Sequence, residues 1–253
     1  MALEFTEAPF DRAWLEPAAG SGAFTSAMVR RGLPTPLAFD IEPKAPGIHR
    51  ADFLTTDLSD LHNAVCVTNP PFGRNHKLSI PFFNHAAAAC DVIAFVVPRS
   101  WRKWSVQNRL DRRMHLAHDM DLDITYVDEG GESLTDSRAL RTVFQVWVRR
   151  DEIRPEIVVE DRGYLTKTSP EEANVALTVR GYGCGTVSMA FERQKNSTRM
   201  YFRASDDVIQ ALHQIDFSPS YNNVAFVESL SYPEINHCLN EYFDGRDGLA
   251  EGA

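Results

Sequence analysis

The chain has 253 residues, of which 43% are hydrophobic and 24% are charged, and its formal net charge is −9. These values predict a soluble globular protein with one large domain or two of ordinary size, and the negative charge argues against a protein that coats nucleic acid nonspecifically. There is no apolar stretch of membrane-spanning length and no signal-peptide pattern, so we expect a cytoplasmic location and no membrane partner.

The first predicted element is a short buried strand at residues 12–15, which leads into Gly20 and Gly22. Two glycines separated by one residue allow a tight turn and a close approach of the backbone to a ligand. A helix-forming segment from Thr25 to Arg31 follows. Strand, glycine turn and helix in this order are typical of a nucleotide-binding fold, although the Gly-x-Gly spacing alone is a weak signal.

Two further predicted strands each end in an acidic residue. Residues 36–39 lead to Asp40, about 20 residues after the glycines, where a carboxylate typically binds ribose hydroxyls. A short strand near Ile48 leads to Asp52 and Phe53, a pair that can accept from an adenine amino group and stack on its ring. Without the glycine turn, Asp40 would be interpreted as a turn or cap residue.

The fourth predicted strand, residues 64–68, ends in the sequence Asn69, Pro70, Pro71 and Phe72. Because proline fixes φ and lacks an N–H, this loop is stiff and presents carbonyl oxygens. The Asn69 amide oxygen and the Pro70 carbonyl can accept both hydrogens of an exocyclic amino group, and Phe72 can stack on a planar base. The alternative interpretation is a turn that ends a strand.

Helices continue to alternate with strands up to residue 150. The predicted elements are a helix from Ser79 to Cys90, a central strand from Asp91 to Pro98, a long helix from about Ser105 to His118, and two last strands at residues 124–127 and 143–148, separated by a polar loop at residues 129–141. This alternation predicts a doubly wound α/β sheet.

Basic residues cluster in the window 99–113, where the only acid is Asp111. They are Arg99, Arg102, Lys103, Arg109, Arg112 and Arg113, with Trp101 and Trp104 interleaved. Because the window begins at the C-terminal end of the fifth strand, we predict a phosphate-contacting rim with one tryptophan available to stack on a base. The alternative is a solvated helix face with two core tryptophans.

The composition changes after Arg150 and predicts a smaller α+β domain. Strands are expected at residues 157–159, 175–179, 186–191 and 200–202. Ser205 begins a helix to about Ile215, and Ser231 with Glu234 forms the capping box of another. We therefore predict a first domain at residues 1–150, a second at 151–243 and a flexible tail at 244–253.

The sequence gives no convincing metal site. The cysteines, Cys66, Cys90, Cys184 and Cys238, lie far apart and predict reduced thiols rather than disulfides or a zinc site. His115 and His118 could ligate a metal, but a helix-surface position is the simpler account. We therefore predict no metal.

Four segments resemble S-adenosylmethionine-dependent adenine-N6 methyltransferases of the Asn-Pro-Pro-Phe type, in particular small phage and bacterial DNA enzymes. They are Glu16–Phe24, Asp40–Pro43, Asp52–Leu54 and Asn69–Gly73, in that order. The resemblance extends over about residues 12–150. It implies a Rossmann-like class I methyltransferase sheet, mostly parallel with one antiparallel strand, followed by a smaller C-terminal α+β domain.

The resemblance also implies roles for individual residues. The cofactor S-adenosyl-L-methionine would be bound by Glu16, Ala18, Gly20, Gly22, Asp40, Ile41, Asp52 and Phe53. Catalysis would use Asn69, Pro70, Pro71 and Phe72, and substrate binding would use Arg99, Trp101, Arg102 and Lys103. The implied partner is nucleic acid, DNA rather than RNA. If the basic window contacts phosphates, we expect the domain at 151–243 to complete the nucleic-acid cleft. RNA adenine methylation and protein glutamine-amide methylation are the alternatives.

Overall fold

The computed structural model describes residues 2–124, 140–191 and 195–250, with side chains described up to residue 245. The chain divides into two compact units, Met1–Glu156 and Ile157–Ala253. This division lies close to the domain boundary that the sequence predicted at residue 150.

A seven-stranded sheet forms the centre of the first unit. Its strands are β1 (Trp14–Glu16), β2 (Leu37–Asp40), β3 (His49–Arg50), β4 (Ala64–Thr68), β5 (Cys90–Pro98), β6 (Met114–Leu122) and β7 (Thr142–Arg149). Their order across the sheet is β3-β2-β1-β4-β5-β7-β6. Only β7 runs antiparallel to its neighbours. The predicted Rossmann-like sheet, mostly parallel with one antiparallel strand, is confirmed.

Helices cover both faces of this sheet. They are α1 (Ala23–Arg30), α2 (Ser79–Ala86) and the single turn α3 (Trp104–Gln107). Neighbouring strand residues point to opposite faces: Leu15 packs in the same cluster as Phe83 of α2, whereas Trp14 packs with Met28 of α1. Burial on both faces is typical of parallel strands and leaves only the sheet edges for ligands.

The predicted long helix from Ser105 to His118 is wrong. Only α3 is helical there, and Met114–Leu122 forms the edge strand β6, which pairs along β7. The residues of β6 include alanine and aspartate, which disfavour strands, so the pairing with β7 decides the conformation. Of the strand predicted at 124–127, Ile124 lies outside the strands, and residues 125–139 lie outside the described part of the chain.

The second unit has α+β architecture, as predicted. Its strands are β8 (Thr166–Lys167), β9 (Val175–Gly181), β10 (Val187–Ser188) and β11 (Ser197–Arg203), in the antiparallel order β10-β9-β11-β8. Its helices are α4 (Asp206–Gln214), α5 (Ser218–Tyr221) and α6 (Tyr232–Ala250). The capping box is confirmed: the Ser231 amide donates to Glu234 at 2.7 Å, and the Glu234 amide donates to the Ser231 hydroxyl at 3.4 Å.

One expectation for the second unit is wrong. Residues 157–159 form no strand, and Val158 there is 79% exposed, so this apolar run joins no sheet. Helix α6 extends to Ala250, into the segment predicted as a flexible tail. The flexibility of this segment stays a prediction, and residues 251–253 lie outside the described part of the chain. Arg162 donates to the Asp244 carboxylate at 2.6 and 3.1 Å, a long-range contact that the local composition does not reveal.

Candidate functional site

The site is built at the carboxyl edge of the first unit's sheet. Strands β2 and β3 lie on one side of β1, and β4 lies on the other, so the strand order reverses at β1. Open α/β sheets bind ligands at the carboxyl edge beside such a topological switch point. Glu16 ends β1, Asp40 ends β2, and Asn69 follows β4. Since the three strands are parallel neighbours, these residues lie at the same edge.

The glycine turn is hydrogen-bonded to Asp40. Gly20 and Gly22 have φ values of 50° and 76°, a region that glycine adopts readily. The Gly20 amide donates to one Asp40 oxygen at 2.7 Å, and the Glu42 amide donates to the other at 2.8 Å. A Cβ added at Gly20 would meet nothing within 4 Å, so the turn borders open space. Each carboxylate oxygen keeps a second acceptor position for a ligand.

Glu16 ties β1 to the beginning of α1. It is 1% exposed, and its Oε2 accepts from the Thr25 amide at 2.6 Å and from the Thr25 hydroxyl. Burial raises the pKa of Glu16 above its ordinary value of 4.5, and the bonds from Thr25 oppose this rise. The geometry therefore gives Glu16 a role in positioning the glycine turn, and its contact with a ligand remains a prediction.

The residues predicted to surround an adenine ring differ in their exposure. Ile41 is 71% exposed beside Asp40, while Phe53 is only 1% exposed. The Phe53 ring packs against Phe82 and His85, with centroids 5.2 and 4.8 Å apart. The expectation that this ring stacks on a ligand is therefore wrong, because the short turn at Phe53–Thr55 directs it into the core. Asp52 is exposed, and its Oδ1 accepts from the Leu54 amide at 3.0 Å.

The Asn69–Gly73 loop is fixed at both ends. It leaves β4 directly, and the Phe72 carbonyl accepts from the amide of Ser79, the first residue of α2, at 3.4 Å. Gly73 has a φ of 64°, and a Cβ there would lie 3.1 Å from Leu78. Asn69 is exposed, and within the described residues no hydrogen bond engages its side chain. The structure thus presents a free amide group on a fixed backbone.

Three polar atoms near this loop are buried without a partner in the described part of the chain: Thr68 Oγ1, His76 Nδ1 and Ser79 Oγ. Such an atom costs about 1–3 kcal/mol and in native proteins points to a functional site or an ordered water. His76 Nε2 lies 3.1 Å from the Ser100 hydroxyl. Burial, together with the charge of Arg109, lowers the pKa of His76 below 6.5. Sequence patterns do not reveal these atoms, because their burial arises from long-range packing.

The basic window differs from the predicted rim. Nε of Arg102 donates to Asp119 at 2.9 Å, and Nε of Arg99 donates to Asp121 at 2.9 Å. Both acids lie on β6, which the sequence did not predict, so these two arginines are already paired. Trp101 is 0% exposed. Trp101 therefore has no face open to a base, so the stacking role stays a prediction for Trp104, which is half-buried, as does substrate binding by the half-buried Lys103.

The predicted metal candidates lie on a strand rather than on a helix. His115 and His118 belong to β6, and the His115 ring is hydrogen-bonded to the Glu152 carbonyl at 2.8 Å. Within residues 2–124, 140–191 and 195–250, no three His, Cys, Asp or Glu side chains are grouped to hold a metal. In the same ranges no helix combines the length and the apolar character needed to span a bilayer.

No family model matches the chain, and no curated protein matches it. Solved structures do match. A Pyrococcus horikoshii protein provisionally described as an RNA methyltransferase has a TM-score of 0.42 and 14% identity, over 56% of this chain and 76% of its own. The 23S rRNA methyltransferase ErmE has a TM-score of 0.39 and 15% identity, over 62% and 68%. A Streptococcus thermophilus protein provisionally described as a hemolysin has a TM-score of 0.42 and 10% identity, over 61% and 65%. Similarity this low supports no statement about activity.

Proposed function

We propose that this chain transfers a methyl group from S-adenosyl-L-methionine to the exocyclic N6 of adenine in DNA. The observation that carries the proposal is the Asn69 side chain, which is exposed and unbonded within the described residues. It stands at the switch-point edge that also holds the Asp40–Gly20 hydrogen bond. The stiff proline loop that bears it offers two adjacent acceptors for one amino group.

The residues at this edge fit a nucleoside cofactor. The open space at the Gly20 turn suits the close approach of a ligand to the backbone. The Gly20 and Glu42 amides use one acceptor position on each Asp40 oxygen, and the remaining positions would accept hydrogen bonds from the ribose hydroxyls. The exposed Ile41 would cover the adenine ring. Asp52 would accept from the adenine amino group. When bound, S-adenosyl-L-methionine supplies an electrophilic methyl group on a sulfonium centre.

The remaining cofactor contacts come from backbone and from positioning residues. Ala18, Gly20 and Gly22 would face the methionine portion with their main chain. Glu16, buried under the turn and bonded to Thr25, would hold this backbone in place. Phe53 would contribute only its main chain, since its ring is in the core.

The substrate residues act by orientation. The lone pair of adenine N6 is delocalised into the ring, which makes this nitrogen a weak nucleophile. Acceptance of both N6 hydrogens, by Asn69 and by the Pro70 carbonyl, favours a pyramidal nitrogen whose lone pair faces the methyl donor. Phe72 would stack on the target base once that base has turned out of the nucleic-acid helix. Positioning of this kind accounts for the catalysis without a covalent intermediate.

Adenine in RNA is the second candidate substrate. The ion pairs of Arg99 and Arg102 reduce the number of cations available for duplex phosphates at this edge, and the chain has a net charge of −9. An adenine in an RNA loop is already unstacked and demands fewer phosphate contacts.

Mass spectrometry of nucleosides tests the proposal. The full chain is incubated with isotopically labelled S-adenosyl-L-methionine and either DNA or RNA, and the nucleosides are analysed after digestion. Label in N6-methyldeoxyadenosine supports the DNA assignment, and label in N6-methyladenosine supports the second candidate. Cofactor binding without label in either nucleic acid would overturn adenine methylation.

A further inference from the structure

A positively charged surface of the first unit is formed by the later part of the basic window, residues 109–113. Arg112 and Arg113 immediately precede β6, whose first residue Met114 pairs with Arg149, the last residue of β7. Because β7 is antiparallel to β5, the beginning of β6 lies at the amino edge of the parallel strands. The basic window therefore runs from the carboxyl edge, where Arg99 and Arg102 are paired, towards the opposite edge.

These residues line an open pocket of about 420 Å³, here called the arginine pocket. Its wall includes Asn84, Arg109, Asp111, Arg112, Arg113 and Ile153. Three guanidinium groups thus share the pocket with a single carboxylate. Arg113 is bound to that carboxylate, with Nη2 2.7 Å from Asp111 Oδ2.

Arg109 and Arg112 have no acidic partner among the described residues. Nη1 of Arg109 donates to the Asn75 carbonyl at 3.5 Å, and Nε of Arg112 donates to the Arg154 carbonyl at 2.6 Å. The other nitrogens of both groups remain available. Both residues are exposed, so a ligand can reach them.

Positive charge accumulates at this pocket. Burial lowers the pKa of the neighbouring Arg154, and the charge of Arg112 lowers it further. Crowded cations cost free energy unless an anion offsets them, and the planar guanidinium fork matches the oxygens of phosphate. This local excess stands out in a chain whose net charge is −9.

We infer that the arginine pocket binds a backbone phosphate of the nucleic-acid substrate, through Arg109 and Arg112. The identity of the ligand rests on the proposed function. Asn84 in the pocket wall lies on α2 beyond Ser79, whose amide donates to Phe72. At 1.5 Å per residue, these two α2 residues are about 8 Å apart along the helix axis. Nη1 of Arg109 also donates to the Asn75 carbonyl, three residues after Phe72, so the pocket borders the chain that leaves the Asn69 loop.

The test scans the substrate backbone with single neutral methylphosphonate linkages, in matched DNA and RNA oligonucleotides that contain one adenine. Binding to the full chain is measured by fluorescence anisotropy. The parent should lose affinity when the neutral linkage replaces the one phosphate that the pocket binds. The variant Arg109→Gln with Arg112→Gln should be insensitive to the linkage at that position.

Salt dependence gives an independent readout. Each lost phosphate contact should reduce the drop in affinity between 50 and 200 mM salt roughly threefold. The variant Arg109→Lys with Arg112→Lys keeps both charges and should recover most of this dependence. The double variant Arg30→Gln with Arg31→Gln makes the same charge change at exposed positions at the end of α1. It should lose less of the salt dependence of binding than the arginine-pocket variant does. Thermal melting checks that each variant is folded.

Two results would overturn the inference. The first is a glutamine variant with the parental salt dependence and the parental response at every methylphosphonate position. The second is that calorimetry shows inorganic phosphate binding to the parent, while the double glutamine variant binds the oligonucleotide with the parental affinity. The pocket would then bind an anion only. Arginine-dependent binding without methyl transfer would support the pocket and contradict the proposed function, so the two failures are distinguishable.

Discussion

The carboxylate of Asp40 accepts a hydrogen bond from the backbone amide of Gly20, with 2.7 Å between oxygen and nitrogen. This bond joins the end of β2 to the turn that follows β1. Asp40 therefore shapes the glycine turn and also offers its remaining lone pairs to a ligand at the same edge. One substitution at this position removes both contributions.

Asp40→Ala should weaken S-adenosyl-L-methionine binding by about 1.5–3 kcal/mol, the worth of hydrogen bonds to a charged group. This corresponds to roughly a 10- to 150-fold rise in Kd. Isothermal titration calorimetry measures it directly. Asp60→Ala removes an exposed carboxylate outside the site and serves as the control, with no expected change. An unchanged Kd for Asp40→Ala would remove this residue from the site.

The burial of Glu16 predicts how the free energy of unfolding depends on pH. Because burial raises its pKa above 4.5, the unfolded chain releases this proton at lower pH than the folded chain does. The stability contributed by protonated Glu16 is complete below pH 4.5 and is lost as the pH rises through the raised folded pKa. Glu16→Gln cannot ionise and keeps a carbonyl acceptor for the Thr25 amide.

The unfolding free energy of Glu16→Gln relative to the parent should therefore increase as the pH rises from 4.5 towards neutrality and then level off. Urea unfolding at several pH values measures this difference. A difference that is independent of pH would show that Glu16 has the same pKa in both states.

Arg102 is expected to act on stability rather than on substrate. Its guanidinium donates to Asp119 and Asp121, and its removal leaves half-buried Asp119 without this partner. Arg102→Gln should lower the free energy of unfolding by about 1–3 kcal/mol, measured by urea unfolding, while Arg30→Gln on the surface of α1 should change it little. If Arg102→Gln had the stability of the parent and a flatter salt dependence of nucleic-acid binding, Arg102 would instead contact phosphate, as the sequence predicted.

Local sequence predicted the parallel part of the sheet well. The apolar run of β4 followed by Asn69 and two prolines gives a strand and its end, and the acid at Asp40 marks the end of β2. These features depend on neighbouring residues in the chain, because proline and the apolar run act over a few positions. The carboxyl-edge location of the site follows from the order of the elements.

Features that depend on distant partners were not predictable in the same way. Met114–Leu122 becomes a strand because β7 pairs with it, and that strand then supplies Asp119 and Asp121 to the arginines. Phe53 and Trp101 are buried in the core. Their positions in the sequence, beside predicted ligand-binding residues, had suggested that their rings stack on a ligand or a base. Side-chain direction at such turns is set by packing, which sequence order does not reveal.

Phe72 should act on the base. It is half-buried at the end of the Asn-Pro-Pro-Phe loop, and Phe72→Ala should weaken oligonucleotide binding through lost stacking worth roughly 1–3 kcal/mol. Anisotropy with an adenine-containing oligonucleotide measures this loss. Phe10→Ala removes an exposed ring far from the loop in sequence and should have no effect. Equal affinities for the Phe72 variant and the parent would exclude a stacking role.

The most direct test of the account is the rate of methyl transfer by Asn69→Ala, with cofactor affinity measured on the same protein. The substitution removes one acceptor for the amino hydrogens and leaves the glycine turn, Asp40 and Asp52 in place. Transfer to the preferred oligonucleotide should fall by about 10²–10³-fold, while the Kd for S-adenosyl-L-methionine stays at its parental value. Transfer at the parental rate would contradict the acceptor-pair mechanism and leave the Asn69 loop as a turn that ends β4.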